Sequence, residues 1–178
     1  MAKKCLFAFK LIYLPLLIIN QNPTQMLKSK LFFVVFLSAL ISSCSSEETL
    51  TPEQENQKIE EYISTKKLII TEKTTSGLRY ILTKANTSGA KVANGQTISV
   101  AYAGRLLSDK QFDAGNFSFV LGSGGAVAGF DQGIAKMKIG EKATLIFPSA
   151  LGYGSKKQGS DIPGYSPLVF DIEVISAR

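Results

Sequence analysis

The side chains available for chemistry are few in kind. The sequence has no histidine, which excludes Ser-His-Asp and Cys-His nucleophilic catalysis and removes the commonest metal ligand. Its two cysteines, Cys5 and Cys44, both lie near the start, so no CxxC redox pair or thiolate metal site exists in the rest of the chain. Asp109, Asp131, Asp161 and Asp171 are not spaced like a calcium-binding loop. The run Leu121-Gly122-Ser123-Gly124-Gly125 lacks the following Gly-Lys-Ser/Thr of a phosphate loop and stands outside any βαβ unit, so it reads as a turn. What remains is phenol and alcohol hydroxyls, carboxylates, lysines, backbone groups and apolar surface.

Charge narrows the partners. The net charge of +6 is concentrated in residues 1–43, which carry Lys3, Lys4, Lys10, Lys28 and Lys30 and no acid. From Cys44 onward 15 basic residues face 14 acidic ones. The excess belongs to a targeting segment, and no basic stripe with interleaved aromatics follows, so nucleic-acid binding is not expected.

The elements that must position any site begin at Ser76. Leu78, Tyr80 and Leu82 alternate as in a half-buried strand, as do Ile98, Val100 and Tyr102. Phe117, Phe119 and Leu121 form a third strand, Ala143, Leu145 and Phe147 a fourth stopped by Pro148, and Leu168, Phe170, Ile172 and Val174 the last. Phe130, Ile134 and Met137 recur at helical spacing over 129–138. Five or six antiparallel strands with one short helix make an α+β domain over 76–178.

Before it, 44–75 reads as a tether with a short helix. Thr51 is the expected N-cap, Pro52 the first helical residue and Gln54 the partner in a capping box. Ile59, Tyr62 and Ile63 give a narrow apolar stripe suited to packing on the domain, with dimerisation or a scaffold role as alternatives. Two apolar runs, Leu6–Ile19 and Leu31–Ile41, are each too short to cross a bilayer, which takes about 20 residues. The second follows Met26, Lys28 and Lys30 and precedes small residues, the order of a secretory signal over 26–43. Residues 1–25 are then an upstream extension. Ile41-Ser42-Ser43-Cys44 resembles a lipobox, with Cys44 lipidated and anchored to a membrane of the cell envelope. Ser45-Ser46-Glu47-Glu48 resembles an acidic surface-export signal, or is a solvated linker.

Val100-Ala101-Tyr102-Ala103-Gly104-Arg105-Leu106, followed by Phe112-Asp113, resembles the opening signature of FKBP-type peptidyl-prolyl cis–trans isomerases. In order there follow Phe119-Val120-Leu121-Gly122, Val127-Ala128-Gly129-Phe130-Asp131-Gln132-Gly133, Met137-Lys138-Ile139-Gly140-Glu141-Lys142, Ile146-Phe147-Pro148, Tyr153-Gly154, Ile162-Pro163 and Leu168 through Val174. The similarity covers about residues 76–178. It implies a half-barrel sheet wrapped around the short helix, with a cavity between them. By resemblance the cavity floor is Phe130, where many members carry Trp, and the walls are Tyr102, Phe112, Phe117, Phe119, Val127, Ile162 and Phe170. The Tyr153 hydroxyl and the Val127 backbone N–H would donate to a ligand carbonyl, and Asp113 would bond Tyr102. The implied partners are proline-containing unfolded or exported polypeptides and macrolide ligands, with no cofactor and no metal.

That chemistry suits the inventory. Rotation about a peptide bond faces a barrier of about 18–20 kcal/mol from amide resonance, and X–Pro bonds populate both isomers with slow exchange. A twisted transition state is less charge-separated than the planar amide, so an apolar pocket favours it without a nucleophile, metal or histidine. The sequence also departs from the family pattern. Only Ala114-Gly115-Asn116 separates Asp113 from Phe117, a stretch that reads as a turn in place of a longer family loop. Gly164 stands where a second Pro is usual after Ile162-Pro163. The competing function is a binding or chaperone lipoprotein that keeps the groove and turns over poorly.

Overall fold

The computed structural model describes residues 50–178. The expected signal segment and Cys44 lie outside the described residues.

Six strands form one antiparallel sheet: β1 (Glu72–Lys73), β2 (Arg79–Lys84), β3 (Thr97–Leu106), β4 (Gln111–Val120), β5 (Lys142–Phe147) and β6 (Leu168–Ala177). Their order across the sheet is β1-β2-β5-β6-β3-β4. Two helices, α1 (Pro52–Thr65) and α2 (Ala128–Ile134), and a 3-10 turn at Ser149–Leu151 complete the architecture. It is the α+β class read from the sequence.

Strand alternation divides the side chains between two faces. Val100, Leu145, Phe147, Leu168, Phe170 and Ile172 point to one face, where they bury Ile134 and Met137 beneath them in the main core. The helix expected over 129–138 ends at Ile134 with Ala135 as its C-cap, and beyond that cap the N–H groups bond three residues back, Lys136 to Gly133 and Met137 to Ile134. Met137 is nevertheless fully buried. Helix α2 lies very close to the sheet: a Cβ added at Gly129 would stand 2.5 Å from the Phe147 ring.

The opposite face is also covered. Ile81, Ile146 and Val169 form a second cluster with Ile59, Tyr62 and Ile63 of α1. The segment that carries the expected helix therefore docks it on the sheet, the packing favoured for that stripe. Its start is as the sequence implies: Thr51 accepts from the Gln54 N–H at 3.3 Å, and Gln54 Oε1 accepts from the Thr51 N–H at 2.8 Å. Arg79, wholly buried under α1, donates to Asn56 at 3.0 Å and to Glu60 at 2.8 Å.

The stretch Ala114-Gly115-Asn116 is strand, not turn. Strand β4 runs unbroken from Gln111 to Val120, with Ala114 opposite Ala103, Gly115 opposite Tyr102 and Asn116 opposite Ala101. The reversal lies earlier, where Asp109 takes a left-handed φ of 63° and its N–H bonds the Leu106 carbonyl at 3.0 Å. Once that turn sets the register, the ladder carries through residues of weak strand propensity.

Candidate active site

Register places the first pair of functional side chains. Tyr102 sits opposite Gly115, and Asp113 sits opposite Gly104, so Tyr102 and Asp113 are diagonal neighbours on one face of the β3–β4 ladder. The Tyr102 hydroxyl donates to Asp113 Oδ2 at 2.6 Å. That bond, then burial, pushes the Tyr102 phenol up to about 12, so the hydroxyl stays protonated and directed at the carboxylate throughout the neutral range.

Phe130 is the hub of the aromatic floor. It meets Tyr102 edge-on at 6.0 Å, Phe117 at 6.5 Å and Phe170 at 5.3 Å between ring centroids. Phe112 stands edge-on to Phe170 at 5.6 Å. Such pairs each contribute about 0.5–1.5 kcal/mol beyond the area they bury, and here they fix ring orientations around an opening. The seat for two of them is Gly104: a Cβ there would fall 2.6 Å from the Phe112 ring and 2.8 Å from the Phe170 ring.

The opening is a cavity of about 440 Å³ lined by Tyr102, Phe112, Asp113, Phe117, Gly124, Gly125, Ala126, Val127, Phe130, Tyr153 and Phe170. Ligand pockets typically hold roughly 300–1,000 Å³. Eight of the ten candidate residues read from the sequence thus share one cavity, and two are absent from its lining. Phe119 is 7% exposed and stacks on Phe117 at 5.3 Å, supporting the wall. Ile162 is 6% exposed and belongs to the main core, in a loop closed by its own backbone bonds with Gln158. Sequence reasoning missed Gly124, Gly125 and Ala126 as lining. Their signal was the glycine run after β4, read only as a turn.

Two donors border this apolar space. Among the described residues the Tyr153 hydroxyl has no hydrogen-bond partner, and neither has the Val127 N–H. Val127 is the N-cap of α2, in extended conformation, and its carbonyl already accepts from Phe130 and Asp131. Gly164 lies against the Ser155 backbone, where a Cβ would approach the Ser155 carbonyl oxygen to 2.5 Å. The loop after Tyr153 is therefore folded in a way that excludes the second proline of the family pattern without rearrangement. Among the described residues no three acidic or thiol ligands converge to hold a metal. The site offers an aromatic-walled slot, one tyrosine–carboxylate pair and two donors without acceptors, an arrangement suited to holding and orienting a dipolar chain.

Comparison with known proteins agrees with this geometry. The family model described as FKBP-type peptidyl-prolyl cis-trans isomerase matches residues 88–175. FK506-binding protein 2 of Dictyostelium discoideum is 41% identical over 90 residues, covering 48% of this chain and 68% of that protein. Peptidyl-prolyl cis-trans isomerase FKBP15-2 of Arabidopsis thaliana is 40% identical, over 53% of this chain and 61% of its own length. Of longer relatives the chain spans less, such as 25% of FK506-binding protein 4 of Rhizopus delemar. Among solved structures, FkpA from Escherichia coli superposes with a TM-score of 0.63 at 25% identity, over 89% of this chain and 74% of that one. With the matched segment containing every cavity residue from Tyr102 to Phe170, the chain belongs to the FKBP-type peptidyl-prolyl cis–trans isomerase family.

Proposed function

We propose that the protein catalyses cis–trans isomerisation of X–Pro bonds in exported polypeptides, held at a membrane of the bacterial cell envelope through lipidated Cys44. The observation that carries the catalytic half is the cavity: an aromatic slot with the Tyr102–Asp113 pair on one side and the Tyr153 hydroxyl without an acceptor. A proline ring fits against Phe130 and its neighbours. Tyr153 and the Val127 N–H hold carbonyls of the flanking chain, so that one part stays fixed while the other rotates. The planar amide is strongly dipolar and loses solvation in such a slot, whereas the twisted state, its resonance broken, loses less. The difference lowers the barrier without any bond to the enzyme. Macrolides that mimic a prolyl chain are proposed ligands of the same cavity.

The envelope half rests on sequence: the basic start, the apolar run and Ile41-Ser42-Ser43-Cys44. Following cis-to-trans conversion of short X–Pro peptides tests the enzyme, with Tyr153→Phe and Asp113→Ala beside the wild type. Acceleration that falls in either variant establishes the activity. No acceleration by a folded sample across several X residues leaves a binding module on an isomerase fold. Radiolabelled fatty acid incorporated by the wild type but not by Cys44→Ser, with the variant moving from the membrane to the soluble fraction, tests the anchor.

A further inference from the structure

Helix α1 lies outside the matched segment 88–175, yet it reaches the polypeptide that carries Tyr153. Glu55, on the first turn of α1, is 4% exposed. Its Oε2 accepts the Ser149 backbone N–H at 2.7 Å and its Oε1 accepts the Ser149 hydroxyl at 2.6 Å. Ser149, also 4% exposed, opens the 3-10 turn that leads to Tyr153. Its carbonyl receives two N–H groups at 2.8 Å, those of Gly152 and Gly154, the residues on either side of Tyr153. Every polar backbone and side-chain group of Ser149 is thus engaged, outward to Glu55 and inward to the peptide groups that bracket Tyr153. A buried carboxylate accepting two short bonds is a directional anchor, because any shift of Ser149 leaves a desolvated acceptor unpaired.

We propose that Glu55 is a positioning residue for Tyr153, acting through Ser149, so that α1 is part of the machinery of the site. The proposal rests on the isomerase reading for its activity test and on geometry alone for its spectroscopic one. A group held to within tenths of an ångström matters where it aims a donor: misplacement by about 1 Å costs up to about a hundredfold in rate.

The test is a double-mutant cycle on the full chain, extracted in detergent: wild type, Glu55→Ala, Tyr153→Phe and the double variant, assayed for X–Pro isomerisation well below their unfolding temperatures. Glu55→Ala is expected to lower kcat/KM about tenfold when Tyr153 is present and less than about twofold when it is already Phe. Glu55→Gln, which keeps an acceptor for the N–H and a partner for the hydroxyl, is expected to recover most of the loss. Equal losses in both backgrounds would show that Glu55 only stabilises the fold, and would overturn the proposal. Should Glu55→Ala fail to fold, Ser149→Ala, which removes one of the two bonds, replaces it in the cycle with the same criterion. In parallel, the Tyr153 ring carbon signal of chain labelled with carbon-13 at the tyrosine Cζ is expected to shift or broaden in the Glu55 variant while that of Tyr102 stays. An unchanged Tyr153 signal would also overturn the proposal. A wild type that accelerates nothing would remove the isomerase reading and leave this second measurement to decide.

Discussion

Tyr102 and Asp113 are joined by a 2.6 Å hydrogen bond between adjacent strands, two residues off the directly opposed position. The hydroxyl bonds the carboxylate best while it keeps its proton, which is why the phenol is raised from 10.0 to about 12. A folded value above the unfolded one means the stabilisation is complete below about pH 10 and is lost as pH climbs through about 12. Asp113→Asn removes the negative acceptor and is expected to bring the Tyr102 titration down toward 10.0. Ultraviolet difference titration of wild type against variant measures it. An unchanged curve would mean that burial rather than the bond holds the phenol.

Gly104 separates the two rings that wall the cavity beside that pair. Gly104→Ala drives a methyl into Phe112 and Phe170. Overpacking of this kind costs about 1–3 kcal/mol, and here it also displaces cavity walls. We expect a stability loss of that size in urea titration together with a clear fall in kcat/KM. Loss of stability with unchanged kinetics would show that the rings relax away from the slot.

How far the sequence could be read follows the physics of each element. The face of the sheet that meets α2 was legible because Leu145, Phe147, Phe170 and Ile172 alternate at strand period. The other face was not. Ile146 and Val169 lie inside continuous apolar runs, and a run buried on both sides has no period to betray its second partner. The cap of α1 was legible because Thr51 and Gln54 are three residues apart. The Glu55–Ser149 contact spans 94 positions and leaves no local signature. Ala114-Gly115-Asn116 misled because local propensity favours a turn, whereas the register set at Asp109 continues the ladder. The cavity residues were placed by resemblance, and the two absent from its lining, Phe119 and Ile162, look no different in sequence from those that line it.

Acid should act first on α1. Glu60 is held below its ordinary 4.5, mainly by Lys73 and then Arg79, and Asp109 below 3.8, mainly by Lys66 and then by the Tyr62 hydroxyl. Lowered carboxylates stabilise above their unfolded values and cease to as pH falls through the folded ones. Both groups tie α1 to the rest of the protein, Glu60 to Arg79 of β2 and Asp109 of the hairpin turn to Tyr62 and Lys66. Hydrogen exchange at about pH 3 against about pH 6, corrected for intrinsic rates, is therefore expected to show α1 amides losing protection before those of β5. Because both carboxylates are 45% exposed, about 1 M salt should shrink the difference. Equal loss in α1 and β5 would refute it.

Arg79 provides the sharpest contrast between breaking a buried ion pair and replacing it. The side chain is 0% exposed, donates to the Gly77 carbonyl, Asn56 and Glu60, and leaves its Nε without a partner. Glu60→Ala strands that charge under α1. A wholly buried pair would lose about 3–5 kcal/mol, but Glu60 is 45% exposed and water can take its place. We expect about 1–3 kcal/mol. Arg79→Met keeps an apolar stem of similar length and removes the desolvated charge together with its unpaired Nε. It is expected to lie within about 1 kcal/mol of the wild type in either direction. Urea titrations of both variants decide the order. If Arg79→Met is the more damaging, the guanidinium network stabilises the docking of α1 by more than its burial costs, and the helix is held by charge rather than by the Ile59, Tyr62 and Ile63 stripe.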